Sequence, residues 1–338
     1  MKKKIESFAF CVLAYNHQDY IVEHLESIKF LVERYGKDIN FQIIVNDDFS
    51  KDNTVVLLDS WLDANAQLFS KIDRIYNREN FGTCASVINM LGRMSSEYCK
   101  LTAGDDVYSY ENIFLYAPLL DENEIVSGIP LDLTDGVISK KLFDVFNMVA
   151  SDLIYSRKTL ASRFKNLSLN NAPNIFYRAD CLKDKSVLEF LSCFDVVEDW
   201  PLQIAIAQKN RKAKFCLVDK VFVYYRRTPG STYLVASTRF YNDQSKIFGY
   251  LIGAESNFFQ RLILRNRLFC FLSGSKFVKR FLNLAVVIYF FNCLLRVGSI
   301  SRVVRALNCS VDVSKHAEHY RELRSSSRKY DVYSSVDI

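Results

Sequence analysis

Residues 8–14 (FAFCVLA), 41–45 (FQIIV) and 98–102 (YCKLT) are short, mostly apolar runs separated by stretches whose apolar residues recur at helical spacing. This alternation constrains the fold more than any other feature. A short run that is apolar at successive positions suits a strand buried on both faces, as in a parallel sheet whose crossover helices cover both sides. After the first run, Ile21, Leu25, Ile28 and Val32 mark one face of a helix, with Glu23, Glu26, Lys29 and Glu33 on its other faces. After the second, Ser50, Asp52 and Asn53 supply turn and cap chemistry for a helix carrying Val56, Leu57 and Trp61. Residues 74–76 form a third short strand, and Cys84, Ile88, Leu91 and Met94 line a third helix. The expected fold class is α/β, a mostly parallel sheet flanked by helices. Such sheets bind ligands beyond the carboxyl ends of their strands.

Two of the three runs end in acidic pairs, Asp47-Asp48 and Asp105-Asp106. One pair alone is ordinary turn chemistry, but two pairs at the carboxyl ends of parallel strands point to a joint site. Carboxylates are hard ligands for Mg²⁺ or Mn²⁺, ions usually held by one or two carboxylates together with substrate phosphates. A third pair, Glu198-Asp199, stands just before Pro201 and the helix-like PLQIAIAQK. It is either a helix start stabilised by the helix dipole or a catalytic acid placed there. Residues 215–225 read as one strand closing on Tyr225, Arg226 and Arg227, ahead of a turn at Pro229-Gly230. From 131 to 178 the periodicity weakens.

Composition narrows the classes. The chain has 338 residues, 49% hydrophobic and 24% charged, with a net charge of +6, enough for one large domain or one domain plus an extension. Basic residues exceed acids most clearly between Arg261 and Arg305. The nine cysteines are dispersed without a CxxC pair, which argues against a disulfide framework or zinc ribbon and for a reducing, cytoplasmic compartment. The N-terminal lysines and apolar run read as a first strand rather than a signal peptide, because no small-residue cleavage site follows. The turn Tyr15-Asn16-His17-Gln18 has no GxGxxG, which removes a dehydrogenase, and no glycine-rich phosphate loop marks a sugar-nucleotide synthesising enzyme. No basic and aromatic module for nucleic acid is present. Residues 281–295 are the most apolar segment, interrupted by Asn283 and Asn292 and flanked by Lys276, Lys279, Arg280, Arg296, Arg302 and Arg305. They fall short of the roughly 20 residues needed to span a bilayer, leaving an interfacial helix or a buried one. His316 and His319 are expected to be solvated in a polar tail, and residues 325–338 to be mobile.

The segments VLAYNHQDYIVEHLESI, IIVNDDFSKDNT, NRENFGTCASVINMLGRMSSEYCKLTAGDDV, VVEDWPLQIAIAQK and YYRRTPGST together resemble the family 2 glycosyltransferases of the GT-A fold, over about residues 5 to 232. The resemblance implies a Rossmann-like catalytic domain at 1–235, with a nucleotide-sugar half at 1–110 and an acceptor half at 111–235, then a basic helical extension at 236–338. It implies an inverting enzyme of bacterial surface-polysaccharide synthesis, such as capsule or O-antigen, taking sugar from a nucleotide-diphosphate sugar, expected to be a UDP-sugar, to a saccharide acceptor, expected to be lipid-linked. Ala14, Tyr15 and Asn16 would line the base and ribose, Asp47 or Asp48 would hydrogen-bond them, and Asn80 and Gly82 would lie beside the nucleotide. Asp105 and Asp106 match the last two acids of a DxD-type motif holding a divalent metal (Mn²⁺ or Mg²⁺), with Ala103 where the family often has a further acid. Asp199, beside Glu198, matches the catalytic base. Arg226 or Arg227 would neutralise the leaving phosphate, in a segment where Thr228 replaces a frequent His. The basic extension fits peripheral contact with an anionic membrane. The alternatives are a non-catalytic saccharide- or nucleotide-binding protein on the same fold, or a sugar-nucleotide synthesising enzyme.

Overall fold

The computed structural model describes residues 4–227 and 237–333. Four strands form the central sheet: β1 (Ser7–Ala14), β2 (Asn40–Asp47), β3 (Lys71–Tyr76) and β4 (Tyr98–Ala103), ordered β3-β2-β1-β4 and parallel throughout. Alternation along β1 explains its unbroken apolarity. Phe8, Phe10 and Val12 face α1 (Ile21–Tyr35) and α2 (Thr54–Ala64), while Ala9 and Cys11 face α3 (Thr83–Arg93). Both faces are covered, so past Ser7 at its edge the strand carries apolar side chains throughout.

The region of weak periodicity holds short elements. Beyond β5 (Val107–Tyr108) come β6 (Ile125–Ser127), β7 (Leu131–Thr134), β8 (Val137–Ser139), α4 (Leu142–Tyr155), α5 (Leu160–Lys165) and β9 (Ile175–Tyr177). β7 and β8 form a hairpin whose turn residues, Asp135 at φ 50° and Gly136 at φ 79°, adopt the left-handed conformation that Asp-Gly favours in a two-residue turn. Next are α6 (Ala179–Leu182), α7 (Lys185–Leu191), α8 (Asp199–Lys209), β10 (Phe215–Leu217) and β11 (Val223–Arg226). The single strand expected over 215–225 is two strands in different sheets, β10-β6-β9 and β5-β11-β7-β8. The break comes at the polar Asp219-Lys220, after which the buried Asn174 side chain accepts the N–H groups of Phe222 and Val223.

The C-terminal part is helical: α9 (Thr238–Ala254), α10 (Phe258–Leu272), α11 (Lys276–Phe281), α12 (Leu284–Leu295), α13 (Val297–Ser310) and α14 (Val313–Ser327). Ile247 and Leu251 of α9 join the core around α3 and α8. α14 packs on α1 and β8, which corrects two expectations. His316 and His319 are buried, with Tyr224 Oη 2.9 Å from His316 Nδ1 and Tyr110 stacked on the His316 ring. Burial pushes both imidazoles down to about 4, so they are neutral. Residues 325–333 are helical rather than a loose tail, ending in a short 3₁₀ turn from which Tyr330 Oη accepts a bond from Asn65.

Candidate active site

Ala14 is in register with Asp47, and Leu13 with Ala103, so the segments leaving β1, β2 and β4 share one rim. Asn16 sits at φ 54°, a left-handed conformation that Asn tolerates better than most residues. Its N–H donates to Ser50 Oγ at 2.8 Å, and its Oδ1 accepts from the Lys51 N–H at 2.8 Å. The His17 N–H reaches Thr54 Oγ1 at 2.7 Å and the Gln18 N–H reaches Asp52 Oδ2 at 3.1 Å. The loops after β1 and β2 are thus sewn together. Beside them Ala14 is buried and Tyr15 exposed.

Asp47 and Asp48 are both buried and both brace loops. Asp47 accepts the Ser50 N–H at 2.8 Å and the Ser50 hydroxyl. Asp48 accepts the Asn77 amide at 2.8 Å, the Phe81 N–H at 2.9 Å and the Gly82 N–H at 2.8 Å. A carboxylate has about four acceptor positions, so Asp47 keeps the larger capacity for a ligand hydroxyl or imide. Gly82 cannot be replaced without strain. It has φ 89°, and a Cβ there would stand 2.3 Å from Asp195 Oδ1.

The 105–106 loop is held from three sides. Asp106 Oδ1 accepts the Arg226 N–H at 2.9 Å, and Arg226 Nε donates to the Asp105 carbonyl at 2.6 Å. The carbonyl of Asp106 can only accept, so His24 Nδ1, 2.9 Å away, carries its proton there. Burial pushes His24 down to about 3, and its ring is neutral. Burial, and then Asp105 beside it, push Asp106 well above the ordinary carboxylate range against the pull of Arg226 and Lys100. Lys100 is itself buried, which lowers it to about 7. The loop is short of positive charge, and hard oxygens short of positive charge fit Mg²⁺ or Mn²⁺. Among the described residues no cluster of three or more metal-ligating side chains occurs, so an ion here would depend on substrate oxygens as well.

The two arginines have different fates. Arg226 is buried, paired with Glu23 and set over the Tyr20 ring, and it is committed to holding the loop. Arg227 is half-buried. It lies 3.4 Å from Asp132 and over the Tyr225 ring, with its buried Nε unpaired among the described residues. Of the two, Arg227 has a donor to spare. Thr228, Pro229 and Gly230 lie outside the described residues.

Glu198 precedes and Asp199 opens α8, both half-buried. Asp199 Oδ1 accepts the Trp200 N–H at 2.7 Å in the first turn of α8, so the pair does start a helix. Burial pushes Glu198 up to about 8, with Asp199 adding to it, and burial raises Asp199 as well. The segment before the pair is hung on Asp243 of α9, whose fully buried Oδ2 accepts the N–H groups of Asp195, Val196 and Val197 at 2.8, 2.7 and 3.2 Å. Arg239 joins Asp195 to Asn80 Oδ1, and the Cys84 N–H donates to the Asp195 carbonyl at 3.0 Å.

Glu23, His24, Asp195, Arg239, Asp243 and Tyr320 are absent from the sequence-derived site. Glu23 accepts from Arg226 and from Tyr320 Oη, the latter at 2.9 Å. Apart from Asp195, these residues lie far along the chain from the acidic pairs they brace, and none carries a local motif.

The profile described as glycosyl transferase family 2 matches residues 9–184. The chain belongs to that family. Over 113 residues this family 2 glycosyltransferase is 28% identical to the abequosyltransferase RfbV of Salmonella typhimurium, a stretch covering 33% of this chain and 32% of that protein. The match therefore spans about a third of that relative's length. TarS 1–349 of S. aureus, in complex with UDP-GlcNAc, superposes with a TM-score of 0.56 at 18% identity, covering 96% of this chain and 92% of that one. The mannosyltransferase PcManGT of Pyrobaculum calidifontis, in complex with GDP-Man and Mn²⁺, gives 0.53 at 13% identity over 98% and 88% of the two chains. The likeness to these solved structures shows the GT-A fold, a Rossmann-like sheet flanked by helices and followed by C-terminal helices.

Proposed function

We propose that this glycosyltransferase moves a sugar from a nucleotide-diphosphate sugar, with UDP as the expected nucleotide, to a hydroxyl of a saccharide acceptor, with inversion. The carrying observation is the run of contacts from Asp48 through Gly82 and Asp195 to Asp243, which ties the donor rim to the loop bearing Glu198 and Asp199. Tyr15, Asn16 and Asp47 receive the nucleoside at the rim. Asp105 and Asp106 would hold a divalent cation, which when bound neutralises charge on the diphosphate. Arg227 adds a donor toward the leaving phosphate. Asp199 accepts the proton of the acceptor hydroxyl as its oxygen bonds to the sugar C1, the C1–phosphate oxygen bond breaks, and the nucleoside diphosphate leaves. For the acceptor the proposal is a lipid-linked saccharide of surface-polysaccharide type, met on the cytoplasmic side of the membrane, as the family resemblance implies.

Nucleoside-diphosphate release is the test, measured across UDP-, GDP- and CDP-sugars with Mn²⁺, with and without saccharide acceptors. Acceptor-stimulated release from one donor class is expected, and no release from any donor would overturn the proposal. Asp105→Ala should weaken cation-dependent donor binding about tenfold or more by calorimetry, since loss of even an outer-shell partner costs about 10–100-fold.

A further inference from the structure

Between Glu255 and Asp312 the chain has no acidic residue, while Arg261, Arg265, Arg267, Lys276, Lys279, Arg280, Arg296, Arg302 and Arg305 fall within that stretch. The same stretch carries most of the exposed large apolar side chains among the described residues. The alternative of a buried helix over 281–295 is set aside by the structure. Asn283 caps a new helix through Ala285 N–H, splitting the segment, and only Ala285 of α12 is buried. Phe290, Phe291, Leu294 and Leu295 are exposed, the last at 83%. The Asn266 side chain of α10 holds the corner between α11 and α12, bonding the Leu282 carbonyl at 3.0 Å and the Leu284 N–H at 2.7 Å.

No single helix among the described residues is long and apolar enough to cross a bilayer, and α12 and the first part of α13 meet at a bend of 79°. On α13, Ile300 and Val304 are buried, packed with the core around α4, while Arg302 and Arg305 are exposed. Apolar side chains standing out of a surface with basic ones around them match the acyl and headgroup layers of an anionic leaflet. A second copy of this chain fits less well, because a two-fold contact through an acid-free surface sets cation against cation.

We propose that α10 to α13 form a docking surface for an anionic lipid bilayer, in which the aromatic and aliphatic side chains of α11 and α12 enter the interface and Lys276, Lys279, Arg280, Arg302 and Arg305 meet lipid phosphates. The surface is defined without reference to turnover, so its failure leaves the transferase reading standing, and the reverse also holds. The test is flotation of the full chain with vesicles of phosphatidylglycerol and phosphatidylcholine against vesicles of phosphatidylcholine alone, at low and high salt. Binding only to the anionic vesicles, weakened by salt, is expected. Lys279→Glu with Arg280→Glu should lower the partition by roughly fivefold or more per charge. Phe290→Glu with Phe291→Glu should abolish binding at unchanged melting temperature, both residues being exposed. Wild-type protein that stays unbound, or both variants binding undiminished, would overturn the proposal. So would a concentration-dependent dimer that the Phe290/Phe291 variant disrupts without any vesicle binding, which would assign the face to a second copy.

Discussion

Two loops of this protein present adjacent carboxyl groups that burial pushes upward, and they differ in the partners packed beside them. Around Asp105 and Asp106 stand Arg226 and Lys100, with Glu23 and Tyr320 fixing the arginine. Around Glu198 and Asp199 the nearby charged groups include further carboxylates, Asp195 and Asp243, and the same four acids together push the neighbouring buried Cys84 thiol upward after burial itself. At the first loop burial and Asp105 outweigh the pull of Arg226 and Lys100 on Asp106, which leaves room for a further cation. At the second, burial raises both acids against backbone N–H groups, which suits the proposed base near neutral pH. Identical chemistry at sequence level is thus divided into two roles by what the fold packs beside it.

The sharpest way to break this contrast is Asp199→Asn, expected to cut turnover by about 10²–10⁴-fold while leaving donor affinity in calorimetry unchanged; turnover near the wild-type rate would remove the base assignment. Glu23→Ala strands Arg226 in a buried site, and breaking such a pair costs about 3–5 kcal/mol, read as a lower midpoint in urea. Glu23→Gln, which keeps a hydrogen-bonding oxygen, should recover part of it. On the other loop, Asp243→Asn leaves only an amide oxygen for three N–H groups, a loss of about 1–3 kcal/mol, accompanied by slower turnover with KM for donor nearly constant. If KM rose instead, the segment would serve the donor rather than the base.

The smallest effect concerns pH. Glu198 is raised in the folded protein to about 8, so folded chains hold a proton that unfolded chains release above the ordinary carboxylate range. Its stability penalty is absent in acid, grows as pH rises from the unfolded value, and is complete above about 8. Glu198→Gln should therefore melt with the wild type near pH 4 and a few degrees above it in mild alkali. In the same variant the acid limb of kcat/KM should stay in place, because Glu198 is still protonated while Asp199 ionises and glutamine stands in for that neutral form. A limb that moves to lower pH would mean that Glu198 ionises before Asp199.

The sheet and the three acidic pairs were legible because they depend on local pattern: strand runs, helical spacing and adjacent acids. What holds the pairs was not. Glu23 meets Arg226, and Asp243 meets Asp195, through contacts that nothing in either neighbourhood announces. Polarity misled at α14, where His316 and His319 read as solvated but face Tyr224, Tyr110 and Phe30. Thr134-Asp135-Gly136-Val137 was a different case. The Asp-Gly turn was readable, and the weak periodicity around it hid the hairpin.

The seam joining the loops after β1 and β2 has a further consequence. Asn16, His17 and Gln18 are locked to Ser50, Lys51, Asp52 and Thr54 before any ligand arrives. Under the proposed assignment a nucleoside settling there finds walls already standing, so little of its contact energy is lost to immobilising the chain. Amide protons at these positions should exchange slowly in the free enzyme and slow little further when donor is added, and affinity would reside in fit rather than in closure.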